Sequence, residues 1–197
     1  MNFRDLNFRR VLTAVLAAVI GVAMIAYIDR MATRAGADSF TLAGIEADVT
    51  SRWPEVAQLP AADLEARIKA GRVPLLFDVR EDGEYHVSHL QGAERVDPKT
   101  EPASLATRFG DKVRGRDVVF YCSVGMRSSN LAAEAQDALM KAGATAVYNL
   151  QGGIFGWHNE RRALVDANGP TDFVHPYDKK WGTLVARQYQ TRMYAKP

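Results

Sequence analysis

Cys122 is the only cysteine in a chain of 197 residues. Any thiol chemistry must be done by it, and an internal disulfide or a multi-thiolate zinc site is excluded. It opens the segment Cys122-Ser123-Val124-Gly125-Met126-Arg127-Ser128, directly after the apolar run Val118 to Tyr121. A loop joining a buried strand to a helix can curl around its first residue, so that backbone N–H groups converge on one point. The start of the following helix adds positive potential there, and Arg127 adds a full charge. A thiolate at that focus is stabilised, so the pKa of Cys122 should fall and its reactive form should be populated. Gly125 suits a loop tight enough to need positive φ or close backbone approach. Ser128 and Ser129 suit the first helical turn, where a hydroxyl can cap free N–H groups. A cysteine at the end of an apolar strand can also be an inert, buried small hydrophobe, but that role needs no Gly–Arg–Ser loop leading into a helix.

The elements that would position this loop can be read along the chain. Asp117 to Cys122 is the clearest strand, and Val73 to Val79 reads as a second buried one. Shorter strand candidates are Val56–Leu59, Gly92–Val96 and Ala146–Leu150. Helices are expected over Pro60–Ala70, Glu81–Ser88, Pro102–Phe109 with Gly110 as its stop, Arg127–Ala142 closed by Gly143, and from near Phe155. Alternation of this kind implies an α/β domain with a doubly wound, mainly parallel sheet flanked by helices. Trp181, Leu184, Val185 and Tyr189 recur with helical spacing, so a C-terminal helix is expected to pack on the domain. The implied division is residues 1–37 as a membrane anchor or signal segment, 38–55 as a linker, 56–166 as the domain and 167–197 as a C-terminal extension.

The N-terminal assignment rests on Val11 to Ile28, an uncharged apolar run of about 18 residues. Arg4, Arg9 and Arg10 precede it, and the charges after it balance. The positive-inside rule then places the remainder of the chain across a membrane. The run reads as a retained transmembrane helix or as a signal peptide cleaved near Ala35-Gly36-Ala37. Either way the catalytic domain lies outside the cytoplasm, in a periplasm. The formal net charge of +2 and scattered basic residues give no nucleic-acid-binding signal. A monomer is expected.

Four segments in order resemble the rhodanese family. They are Phe77-Asp78-Val79-Arg80-Glu81, Glu84-Tyr85 through His89-Leu90-Gln91-Gly92-Ala93, the Cys122–Ser128 loop, and Leu150-Gln151-Gly152-Gly153 with Trp157. The resemblance covers roughly Val56 to Leu164. It implies a sulfurtransferase in which the Cys122 thiolate takes the outer sulfur of a donor such as thiosulfate and becomes a persulfide. A cyanide or thiol acceptor then removes that sulfur. Ser123 to Ser128 would hold the small anionic donor, with Arg127 binding its charge, and no cofactor is implied. Four residues separate Cys122 from Arg127, whereas the related cell-cycle phosphatases have five. A phosphatase or arsenate reductase therefore ranks below sulfur transfer. An inactive rhodanese-like scaffold at the membrane is the other alternative. Many rhodaneses carry a basic residue directly after the cysteine. Ser123 stands there in this chain, which weakens the expectation for thiosulfate in particular.

Other candidates read more plainly. His86 and His89 lack further ligands for a metal site, and the resemblance implies a structural hydrogen bond for His89. Asp78 and Arg80 read as a strand-end ion pair. Trp157, Trp181 and Tyr177 read as core or tail packing, and Arg161-Arg162 as a solvated face.

Overall fold

The computed structural model describes residues 23–24 and 40–196. The apolar run and the Ala35-Gly36-Ala37 site lie outside the described residues, apart from Ala23 and Met24. Among the described residues no helix is long and apolar enough to cross a membrane. The chain divides into two units, residues 1–41 and 42–197, and all that follows concerns the second.

The second unit begins with α1 (Leu42–Arg52), β1 (Ala57–Leu59), α2 (Ala61–Lys69), β2 (Leu75–Asp78), α3 (Asp82–Val87) and β3 (Glu94–Arg95). It continues with α4 (Pro102–Val113), β4 (Asp117–Tyr121), α5 (Met126–Lys141), β5 (Ala146–Leu150) and α6 (Gly153–Asn159). A hairpin, β6 (Leu164–Asp166) with β7 (Gly169–Thr171), and two 3-10 turns complete it. The five-stranded sheet has the order β1-β5-β4-β2-β3, and every pairing in it is parallel. Strands β2 and β4 are apolar and buried at nearly every position because helices cover both faces. On one face Phe77, Val118 and Phe120 join Leu105, Phe109 and Val113 of α4 and Leu131, Ala135 and Leu139 of α5 in one core. The alternate residues Leu76, Val119 and Tyr121 are as deeply buried.

The chain leaves β2 for β3 on one side, then crosses back so that β4 and β5 extend the sheet on the other. The reversal falls between β2 and β4, and a crevice at the carboxyl ends of the strands is expected there. Cys122 sits at that end of β4.

Several elements differ from the sequence expectation. Residues 42–52, expected as part of a linker, form α1. Its Ile45 and Val49, at i and i+4, are buried, and two apolar positions are too few to stand out beside Gly44, Thr50 and Ser51. Helix α4 runs past Gly110, because burial of Val113 one turn beyond Phe109 outweighs the roughly 1 kcal/mol cost of a helical glycine. The C-terminal extension forms no α-helix. Trp181–Leu184 and Gln188–Gln190 are 3-10 turns, held by side chains instead. Asn159 Nδ2 donates to the Leu184 carbonyl at 2.9 Å, and the Ala186 N–H donates to Asn159 Oδ1 at 2.8 Å. Val174, Leu184 and Val185 bury their side chains.

Candidate active site

Cys122 is 1% exposed. The loop after it turns through Gly125 at φ 99°, and the Gly125 N–H donates to the Cys122 sulfur at 3.2 Å. A Cβ at Gly125 would stand 2.9 Å from Asn149 Nδ2, so glycine is needed for both its backbone angle and its space. The Val124 and Ser128 amides also favour a thiolate there. Burial alone would push the thiol up. The Arg127 guanidinium and the neighbouring amides outweigh it and hold Cys122 below the ordinary thiol range.

The outside of the loop is equally fixed. The carbonyls of Cys122 and Ser123 point away from the sulfur and accept from the Ile154 and Phe155 amides of α6 at 2.9 and 3.0 Å. A Cβ at Gly153 (φ 57°) would lie 2.5 Å from the Cys122 oxygen and 2.7 Å from the Ser123 oxygen. The Gly152-Gly153 pair thus brings a helix start close enough to grip the loop from behind.

Arg127 is engaged differently from expectation. Its Nη1 donates to Glu84 Oε2 at 2.9 Å and its Nη2 to Glu84 Oε1 at 3.0 Å. Glu84 is 3% exposed. Ser123 closes the group: its hydroxyl donates to Glu84 Oε1 at 2.8 Å and accepts from Arg127 Nη2 at 3.1 Å. Burial would raise Glu84 and lower Arg127, but each holds the other charged, with Glu84 below and Arg127 above its usual value. The guanidinium therefore reaches the sulfur already paired.

The serines do not cap α5. The residue before the helix is Gly125, which has no side chain to offer. Ser128 donates to Asn149 Oδ1 at 2.6 Å, while Asn149 Nδ2 donates to Gln58 Oε1 at 2.7 Å. One hydroxyl proton cannot serve Asn149 and the sulfur together. With it on Asn149, the amides and Arg127 carry the stabilisation. The Ser129 hydroxyl is buried without a partner.

The sulfur faces a cavity of about 230 Å³ lined by Cys122, Ser123, Val124, Met126, Arg127, Tyr177 and Trp181. Five of the seven expected site residues line it; Gly125 supplies an amide and Ser128 stands behind the loop. Tyr177 and Trp181, read from sequence as packing residues, form its far wall. Glu84, too, was legible only as part of a motif. Its pairing with Arg127 is tertiary and has no local signal beyond the charges themselves. A cavity that opens on a stabilised thiolate is what nucleophilic catalysis requires.

The remaining candidates fall elsewhere. Arg80 and Asp78 form a bidentate pair, Nε to Oδ1 at 2.9 Å and Nη2 to Oδ2 at 2.6 Å, with neither side chain exposed. His89 stacks on Tyr85 with centroids 3.9 Å apart, and its Nδ1 lies 3.1 Å from the Tyr85 carbonyl. Trp157 donates to the Ala163 carbonyl. Arg162 is not solvated as expected: its side chain is 13% exposed and pairs with Glu65 and Glu160. Among the described residues no group of three or more His, Cys, Asp or Glu could hold a metal ion.

Residues 60–160 match the rhodanese-like domain family. A probable adenylyltransferase/sulfurtransferase, MoeZ of Mycobacterium tuberculosis, is 32% identical over 117 residues, 58% of this chain and 28% of that protein. The chain thus spans well under half of that relative's length. The uncharacterized protein YqhL of Bacillus subtilis is 33% identical over 101 residues, 50% of this chain and 73% of its own. Among solved structures, a thiosulfate sulfurtransferase from Pseudomonas aeruginosa aligns over 73% of this chain and 26% of that one, at 20% identity and TM-score 0.47. The match over residues 60–160 spans four of the five sheet strands, the sulfur loop and the helix that grips it, and this chain belongs to the rhodanese-like family.

Proposed function

We propose that the protein is a sulfurtransferase that carries sulfane sulfur as a Cys122 persulfide, taking it from a donor such as thiosulfate and passing it to cyanide or a thiol. The observation that supports this most is the buried Cys122 sulfur, which accepts the Gly125 N–H at 3.2 Å and faces a cavity. The thiolate attacks the outer sulfur of the donor, a new S–S bond forms, and the old bond breaks with its electron pair leaving on the donor remnant. For thiosulfate the remnant is sulfite. The persulfide's terminal sulfur would then face the cavity for the acceptor to attack, and the loop amides would stabilise whichever sulfur carries the negative charge. A phosphatase reading fits less well, because four residues rather than five separate Cys122 from Arg127 and leave a tighter loop.

The test is to incubate the full chain with thiosulfate, record intact mass, then add cyanide and measure thiocyanate. Gain of one sulfur atom, absent in Cys122→Ser, is the expected result. Mass unchanged with every sulfane donor would leave the scaffold reading in its place. The proposal also holds that the apolar run Val11–Ile28 exports the domain. Digestion by protease added outside spheroplasts is expected, and full protection would refute export.

A further inference from the structure

The far wall of the cavity comes from the C-terminal extension, beyond the residues that match the family. The wall is well built. Tyr177 holds φ 66°, a left-handed angle costly for a residue with a side chain. Three contacts hold it there. Its N–H donates to His175 Nδ1 at 3.0 Å, the Arg127 guanidinium lies 5.1 Å from its ring centre, and Trp181 meets the ring edge-on at 6.5 Å. The Trp181 backbone N–H donates to Asp178 Oδ1 at 2.8 Å. Behind Trp181, Gly182 packs so closely on Pro176 that an added Cβ would come within 2.9 Å of it.

The chemistry of the lining is distinctive. Arg127 is its one charged side chain apart from the thiolate, and Glu84 cancels that charge at hydrogen-bonding distance. With Cys122 ionised, the Cys122, Arg127 and Glu84 side chains together carry net negative charge. A dianion such as thiosulfate approaches against the charge of these three groups, with the amide dipoles in its favour. The remaining surface is Val124, Met126 and two aromatic rings, suited to an uncharged body.

We propose that Tyr177 and Trp181 are specificity-determining residues that seat the apolar or aromatic body of an organic sulfane-sulfur donor carrying at most one negative charge. The inference rests on the sulfur-transfer reading above and narrows its donor. With an organic persulfide R–S–SH, the Cys122 thiolate attacks the terminal sulfur, a new S–S bond forms and the donor's own S–S bond breaks. The electron pair leaves on R–S⁻, which takes the proton, giving R–SH and the enzyme persulfide anion. No oxidant or reductant is consumed.

The test uses the full chain and two monoanionic donors that transfer sulfur in the same way, benzenethiosulfonate and methanethiosulfonate, with thiosulfate as the dianion. Each kcat/KM is normalised to the donor's uncatalysed reaction with a free thiol. The aryl donor is expected to exceed the methyl donor by about tenfold or more, since an apolar pocket discriminates on this scale per small group, and to exceed thiosulfate. In Trp181→Ala and Tyr177→Ala the aryl-to-methyl ratio should fall toward one, mainly through KM, while Trp181→Phe keeps most of it. A ratio near one in the unmodified protein, or a ratio unchanged in both alanine variants, overturns the inference even if a truncation misfolds. Absence of enzyme persulfide with all three donors overturns the underlying sulfur-transfer reading instead.

Discussion

Two arginine–carboxylate pairs stand near the carboxyl ends of neighbouring strands and do opposite work. Arg80 and Asp78 are sealed from solvent, with both side chains 0% exposed. Arg80 Nη2 also donates to the Ser88 carbonyl at 2.6 Å. Arg127 and Glu84 are also paired by two hydrogen bonds, here end-on through Nη1 and Nη2, but the arginine is 28% exposed and lies beside the sulfur. The first pair joins β2 to the segment after α3 and touches no reactive atom. The second sets the charge that the nucleophile experiences. The same pairing of guanidinium with carboxylate thus serves as a structural staple in one place and as an electrostatic adjustment in the other. Access to the sulfur decides which.

The comparison breaks most visibly at the sealed pair. Asp78→Ala leaves a buried, uncompensated guanidinium and is expected to cost ~3–5 kcal/mol in denaturant unfolding. A loss below about 1 kcal/mol would mean that water reaches Arg80 and that the two pairs are alike. Arg127→Met removes the largest stabilising influence on the Cys122 thiolate, so the acid limb of the pH–rate profile should move up. Persulfide formation at neutral pH should fall about 10- to 100-fold.

Acid should separate the pairs by another route. Burial would raise Glu84, but Arg127, Arg80 and the Glu81 amide hold it below its usual value. Its stabilisation is therefore complete above the unfolded value, about 4.3, and is lost as pH falls through the lower folded value. His89, His158 and His175 are held below their ordinary value, chiefly by burial. They resist protonation when folded, so stability starts to decline below about 6.5. A thermal-unfolding series should show both declines, with the lower one reduced in Glu84→Gln. The smallest expected effect is kinetic. Glu84→Gln frees the Arg127 charge and should raise kcat/KM for dianionic thiosulfate by about tenfold, the equivalent of one pKa unit. A fall instead would show that Glu84 acts by holding Arg127 in place.

The sheet and the sulfur loop were legible because their signals are local. An apolar strand ending in Cys-x-x-Gly-x-Arg-Ser needs no tertiary partner to be recognised. What escaped was whatever depends on distant packing. Helix α1 shows only Ile45 and Val49 as inward residues, and Gly110 reads as a stop until the burial of Val113 is known. The helical spacing of Trp181, Leu184 and Val185 was real, yet Asn159 and Pro176 direct that segment into a 3-10 turn against the pocket. Ser128 and Ser129 had the right types for caps, but Asn149, brought in by β5, captures the Ser128 hydroxyl.

The grip of α6 on the loop has a consequence for reactivity. A peptide group has two ends of opposite sign, and a half-turn of the unit would present an oxygen to the sulfur in place of a hydrogen. With the Cys122 and Ser123 oxygens tethered from behind, that half-turn is opposed in the two peptide units that carry the Ser123 and Val124 N–H groups. Any side chain larger than hydrogen at Gly153 would force the tether open. A site far along the chain thus helps to set how the first two peptide units of the loop face the sulfur.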